Sequence, residues 1–107
     1  MKNFAFISRH EPTQSQHDIA RQRGVALHHV GDRDGFTVRW QEFAAYDGVV
    51  VVHPAMALRL LTPINHVGVF ANANRAAVGE PPRFEVTALH VYRLVDNQIC
   101  EVQNETV

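Results

Sequence analysis

The chain has 107 residues, of which 46% are hydrophobic and 20% charged, a balance typical of one folded domain and unlike that of a disordered segment. A formal net charge of −1 argues against wholesale binding to duplex nucleic acid, where a basic face dominates affinity, and it leaves room for a small anionic ligand. The single cysteine, Cys100, excludes an intrachain disulfide and indicates a reducing compartment. The sequence shows no leader pattern and no apolar run near the ~20 residues of a membrane span, so we expect a cytoplasmic protein without membrane contact.

The first half of the chain predicts alternating strands and helices. Residues 3–8 are largely apolar and predict a buried strand. Thr13 and Gln16 have the spacing of a capping box, which predicts a helix from Thr13 to Arg23 that ends before a left-handed Gly24. Further strands are predicted over 25–30 and 49–52, and further helices over 37–46 and 55–61.

The second half of the chain predicts strands. A strand is expected over 66–70, a polar loop over 71–82, a long alternating strand over 84–94, a turn at Asp96-Asn97 and a last strand over 99–102. This order predicts an α/β fold, a single small Rossmann-like three-layer sandwich over 1–107, with a mostly parallel sheet and antiparallel C-terminal edge strands. A strand order of 2-1-3 places the topological switch point between the first and third strands.

Polar and basic residues follow the first strand, where α/β sheets bind anions. Ser8, Arg9 and His10 leave the strand just before the helix that begins near Thr13. A phosphate there gains a hydroxyl, a guanidinium fork and the helix N-terminus, and an imidazole can donate or accept a proton near neutral pH. The alternative interpretation is that Ser8 caps a turn, Arg9 pairs with Glu11 and His10 is solvated.

Two later segments end strands in the same way. His53 follows the third strand and is a candidate anion ligand or second acid–base group, or else a simple cap ahead of Pro54. Asn72, Asn74 and Arg75 follow the fourth strand, where amides read a base edge and a guanidinium suits a phosphate, unless they belong to a polar surface loop.

The seven histidines do not indicate a metal site. His28 and His29 are adjacent on a strand and point to opposite faces, and no His-x3-His or paired-cysteine spacing occurs. His66 and His90 are interpreted as residues of strand surfaces. We therefore expect neither a metal nor another cofactor.

The segment Phe6–Thr13, which contains Phe-Ile-Ser-Arg-His, resembles the small CRISPR-associated Rossmann-like proteins of type III systems. Some of those relatives also carry a late strand similar to Pro81–Val86. The resemblance implies a homodimer that binds cyclic oligoadenylate, with cyclic tetra-adenylate favoured, across its two-fold axis. It also implies that Ser8, Arg9 and His10 contact the ligand phosphates.

In the ring-nuclease members of that group, a ribose 2′-hydroxyl attacks the adjacent phosphate without a metal. The resemblance implies that Arg9 and the first helix N-terminus hold the phosphate while His10, or alternatively His53, protonates the leaving 5′-oxygen.

A second resemblance is to histidine phosphatases, whose first strand ends in Arg-His-Gly and whose histidine accepts the phosphoryl group. Arg9-His10 matches two of those residues, Glu11 replaces the glycine, and the chain is short for that fold. A third hypothesis is a non-catalytic dimeric binding, sponge or inhibitor protein.

Overall fold

The computed structural model describes residues 1–34, 37–61 and 64–103. Its strands are β1 (Lys2–Ile7), β2 (Val25–His29), β3 (Gly48–Val51), β4 (Val67–Asn74), β5 (Phe84–Val95) and β6 (Gln98–Glu101). Its helices are α1 (Gln14–Gln22) and α2 (Pro54–Leu60), with a 3-10 turn at Trp40–Phe43. The six strands form one sheet in the order β2-β1-β3-β4-β5-β6.

The sheet is mixed. β1 lies between β2 and β3 and is parallel to both, and β3 is also parallel to β4. β4, β5 and β6 then pair antiparallel. Parallel pairing brings the carboxyl ends of β1 and β3 to one side of the sheet, where Ser8 and Val52 leave it.

The prediction of a Rossmann-like three-layer sandwich is wrong. The strand order 2-1-3 is confirmed for the first three strands, but the molecule is a predominantly β structure in which a six-stranded half-barrel sheet dominates. The two α-helices have only nine and seven residues and do not form the full helical layers of that fold. The sequence pattern showed where the crossovers lie but overestimated how much helix they contain.

The helix predicted over 37–46 is the clearest error. The structure has only the four-residue 3-10 turn there, and its N-terminal Arg39 makes no side-chain cap. Thr37, Val38, Trp40 and other β-branched or aromatic residues give this stretch low helix propensity, so its apolar spacing does not produce an α-helix. Phe43 is the buried residue of the 3-10 turn, whereas Trp40 is 42% exposed.

The loop predicted over 71–82 is also partly wrong, because β4 continues to Asn74. β5 is twelve residues long, and its residues 84–92 pair with the whole of β4, with a register shift between Ala71 and Asn72. The partner strand therefore overrides the turn-like composition of this segment. The paired ends of β4 and β5, residues 70–74 and 84–89, form an arm that extends past the end of β3.

The core lies on both faces of the sheet because side chains alternate along each strand. Phe4 and Phe6 pack with Ala20 of α1 on one face, whereas Ala5 and Ile7 pack on the other. The second face is completed by residues of β3, α2 and the 3-10 turn: Val49, Val51, Met56, Ala57, Leu60, Leu61 and Phe43.

Local turn chemistry is confirmed at three places. The Thr13 hydroxyl accepts from the Gln16 amide at 3.2 Å and the Gln16 side chain accepts from the Thr13 amide at 2.9 Å, which is the predicted capping box. Gly24 has a φ of 73° after α1. Asp96 and Asn97 have φ values of 52° and 63°, as the turn between β5 and β6 requires.

The edge strand β6 is joined to β5 by a hydrogen bond between His90 Nδ1 and Glu101 Oε1, at 2.6 Å. The hydrogen bond from His90 is the main cause that lowers the pKa of Glu101 below its ordinary 4.5. A lowered carboxyl pKa contributes stability above pH 4.5 that disappears as the pH falls through the folded-state value. We therefore expect Glu101→Gln to reduce the melting temperature slightly at neutral pH, and thermal scans should show this deficit vanishing in acid. A deficit independent of pH would contradict this.

Candidate functional site

The segment after β1 starts from a firmly held residue, Ser8. Ser8 is buried; its amide donates to the Gly31 carbonyl at 3.1 Å, and its own carbonyl accepts from His29 Nε2 at 2.7 Å. Its hydroxyl accepts from the His10 amide at 3.3 Å. The hydroxyl therefore caps the turn, as the alternative interpretation held. Ser8 fixes the direction in which Arg9 and His10 leave the sheet.

The register of β1 and β3 places Arg9 and His53 at the same level, that is, at the same distance along the strand direction. The last paired residues of β1 and β3 are Ile7 and Val51, and Arg9 and His53 each follow by two positions. Neighbouring strands lie about 4.8 Å apart, so the two segments leave the sheet side by side. We call this region, residues 8–10 and 52–53, the carboxyl edge.

The basic side chains of the carboxyl edge are unengaged. Arg9, His10 and His53 are exposed, and none makes a side-chain hydrogen bond or ion pair within the described ranges. Most other arginines of the described chain are held by an acid or a carbonyl, namely Arg21, Arg23, Arg33, Arg75 and Arg83. The carboxyl edge thus combines one permanent positive charge with two imidazoles.

Thr13 contributes less than the sequence predicts. Its hydroxyl is already the acceptor of the capping box, so a ligand would have to compete for it. The helix it caps, α1, has nine residues and begins four positions after His10. Its first amides lie near enough along the chain to add partial positive charge to the region.

Asn72 lies close to the level of the carboxyl edge. Val50 pairs with Gly68, so Asn72 is only one position beyond the level of His53. It lines a small cavity of about 80 Å³ together with Gln16, Val51, Val52, Val69 and Phe70. Its side-chain amide makes no hydrogen bond to the described residues, which leaves both its donor and its acceptor for a ligand.

Asn74 and Arg75 are placed elsewhere and are already engaged. They lie three and four positions beyond the level of His53, or roughly 10–13 Å along the arm. The Asn74 side chain accepts from the amides of Ala76 and Arg83, both at 3.0 Å. Arg75 Nε pairs with Glu85 at 3.0 Å. These residues close the end of the arm, and the structure does not bring them to Arg9 and His10.

A second cavity lies at the opposite end of the sheet, where the sequence predicted no site. It has a volume of about 340 Å³ and is lined by Leu61, Ile64, Asn65, His66, Arg93 and Leu94. We call it the amino-end cavity. Burial, with Lys2 and Arg93 nearby, lowers the pKa of His66 below 6.5, against a smaller opposing effect of Asp47. Only the long-range pairing of β4 with β5 brings these residues together, so no local pattern could have revealed the cavity.

Two general features bear on ligand classes. Across 1–34, 37–61 and 64–103, we find no group of three or more His, Cys, Asp or Glu side chains placed to bind a metal ion. Within the same ranges no helix has the length and apolar character needed to cross a bilayer.

Comparisons with protein-family models, curated proteins and solved structures found no match to this chain.

Proposed function

We propose that this protein binds a cyclic oligoadenylate, cyclic tetra-adenylate in the favoured case, at the carboxyl edge, and that it cleaves the ring without a metal. The supporting observation is that Arg9 and His53 leave adjacent parallel strands at the same level, with exposed side chains that have no hydrogen-bond or ion-pair partner among the described residues. Biologically, such an activity ends type III CRISPR signalling in the cytoplasm. The proposal takes its ligand from the resemblance of Phe6–Thr13 and its site from this geometry.

The side chains of the carboxyl edge, together with the nearby Asn72 of β4, suit a phosphodiester. The guanidinium of Arg9 can donate two parallel hydrogen bonds to the phosphate oxygens. Asn72 can read a base edge by donating and accepting. Val52, which is 47% exposed beside His53, offers an apolar contact for a base.

The reaction is an intramolecular transfer at phosphorus. A ribose 2′-oxygen forms a bond to the adjacent phosphorus while the bond from phosphorus to the 5′-oxygen breaks. The products are a 2′,3′-cyclic phosphate and a 5′-hydroxyl. Arg9 stabilises the charge that develops on the phosphate oxygens, and protonated His10 donates its proton to the leaving 5′-oxygen. His53 accepts the proton of the 2′-hydroxyl, or exchanges roles with His10.

A homodimer makes the site complete. One carboxyl edge presents a single Arg9 and two imidazoles, whereas a cyclic oligoadenylate carries a phosphate at every nucleotide. Two copies related by a two-fold axis supply matched sets of these groups to opposite sides of the ring. We therefore expect ligand binding and dimer formation to be linked.

The test is binding and cleavage of cyclic tetra-adenylate in the presence of EDTA. We expect the ligand to raise the melting temperature of the wild-type protein and to be converted to linear products with a cyclic phosphate end. Arg9→Gln is expected to weaken binding by about tenfold, the effect of one lost charge-assisted contact. His10→Ala is expected to slow cleavage by about a hundredfold or more with a smaller effect on binding.

Arg59→Gln is the matched control, because Arg59 is an exposed arginine in the last turn of α2 and its loss changes the net charge equally. Equal effects of Arg9→Gln and Arg59→Gln would contradict the proposed site. Binding without cleavage would contradict the ring-nuclease activity and indicate a non-catalytic protein that sequesters the ligand. Turnover of p-nitrophenyl phosphate, abolished by His10→Ala, would favour the phosphatase instead, and no response to any of these ligands would favour a protein-binding role.

A further inference from the structure

We propose that the amino-end cavity binds a small carboxylic acid, with its apolar body against Leu61, Ile64 and Leu94 and its carboxylate held by Arg93. This site is separate from the carboxyl edge and does not depend on the function proposed there. Three properties carry the inference: the placement of Arg93, the local excess of positive charge and the apolar wall.

Arg93 is positioned by the pairing of β4 with β5. Val67 pairs with Tyr92, so the next residues outward on the two strands, His66 and Arg93, are cross-strand neighbours. Both line the cavity. Arg93 is exposed and makes no side-chain hydrogen bond or ion pair within the described residues. Its five guanidinium donors are therefore available to a ligand.

The charge around the cavity favours an anion. Lys2 and Arg93 both act on the His66 ring, and each disfavours its protonated form. Asp47 opposes them, first through a hydrogen bond between its backbone and the His66 ring and then through its carboxylate, whose Oδ2 already accepts from the Asn3 amide at 2.7 Å. A ligand carboxylate beside Arg93 and His66 would pair with the Arg93 guanidinium and favour protonation of the His66 ring.

Leu61, Ile64 and Leu94 form the apolar part of the lining, beside the exposed Asn65. Leu61 and Ile64 are buried core residues, and the backbone amide of Ile64 donates a hydrogen bond to the Leu60 carbonyl at 3.0 Å. Leu94 packs against the same cluster. A volume of about 340 Å³ lies within the range of small-molecule pockets, and it suits a body the size of one aromatic ring.

A smaller cavity adjoins the amino-end cavity, and a longer ligand would extend into it. It measures about 140 Å³, shares Ile64 and Asn65 with the amino-end cavity, and is also lined by Trp40, Phe43, Ala44, Tyr46 and Asp47. These aromatic residues suit a second apolar or aromatic group. The chemical class is thus an arylcarboxylic acid or one of similar shape.

The experiment is an NMR titration of the full chain with benzoate, using benzamide as a neutral ligand of the same shape. We expect saturable shifts at residues 64–66 and 93–94, with a dissociation constant on the order of 1 mM. Arg93→Gln should weaken benzoate binding about tenfold and leave the weak binding of benzamide unchanged. Arg21→Gln changes an exposed arginine of α1, outside the residues that line the cavity, and should bind benzoate as the wild type does.

A second readout follows the His66 ring itself. Lys2 of β1, Arg93 of β5 and Asp47 just before β3 are the charged groups that act on it. A bound carboxylate adds negative charge, so benzoate should raise the pKa of His66, and benzamide should not. Equal binding of benzoate and benzamide, or equally tight binding of inorganic phosphate, would overturn the proposal. Shifts that do not saturate would overturn it as well. The Arg9→Gln variant should retain benzoate binding, which separates this site from the carboxyl edge.

Discussion

Gly48→Ala is expected to lower the free energy of unfolding by about 3 kcal/mol, because a methyl group has no space at this position. A Cβ there would lie 2.6 Å from the His66 carbonyl oxygen and 2.7 Å from Cζ of Phe4. The first of these is backbone, and it accepts from the Val49 amide at 3.0 Å where β3 meets β4. The Phe4 ring is fully buried and has no room to turn aside. Urea denaturation measures the loss, and the melting temperature should fall by about 15 °C.

Gly68→Ala is the matched control in the neighbouring strand. The Cβ there would meet Leu89 Cδ1 at 3.1 Å and Val50 Cγ2 at 3.2 Å, both at the ends of side chains. Small adjustments of these groups, together with the lower entropy of the unfolded alanine chain, should keep the change within about 1 kcal/mol. Similar losses for the two variants would show that β3 and β4 are not packed at Gly48 as described.

Local chemistry was predictable from the sequence, because each signal depends on residues close together in the chain. The capping box of Thr13, the left-handed Gly24 and the Asp96-Asn97 turn follow from the conformations that those residues favour. The order of the first three strands follows from short parallel crossovers. The fold class did not follow, because apolar spacing over 37–46 cannot distinguish an α-helix from an extended segment with one 3-10 turn.

Long-range pairing decided what the sequence could not show about the candidate sites. The position of Arg9 follows from the end of β1, a local feature, and the structure leaves this side chain exposed. The ion pair of Arg75 depends on β5, which places Glu85 Oε2 at 3.0 Å from Arg75 Nε. Likewise His66 and Arg93 are 27 positions apart and meet only because β4 and β5 are antiparallel neighbours. Residues brought together by hairpin register are therefore those that the sequence alone misassigns.

The second large effect is expected at Arg23, at the end of α1. Its Nη1 donates to the Leu89 carbonyl at 2.7 Å and its Nη2 to the Val102 carbonyl at 2.6 Å. β6 pairs with residues 92–95 of β5, so within the described part of the chain no strand covers the outer edge of β5 at Leu89. Arg23→Leu would leave two partly buried carbonyls without donors. We expect a loss of about 3 kcal/mol of unfolding free energy by urea denaturation.

Arg21→Leu is the control for this prediction, since it lies two residues away on the same helix. Arg21 pairs with Asp18 at 3.1 Å and both side chains are more than half exposed, so the change should cost less than about 1 kcal/mol.

Hydrogen exchange adds a local readout, because the Val102 amide donates to the Val91 carbonyl at 2.7 Å beside the Arg23 contact. Arg23→Leu should accelerate exchange at Val102 and Arg21→Leu should not. If the two variants were equally stable, the guanidinium of Arg23 would not be joining α1 to β5 and to the segment after β6.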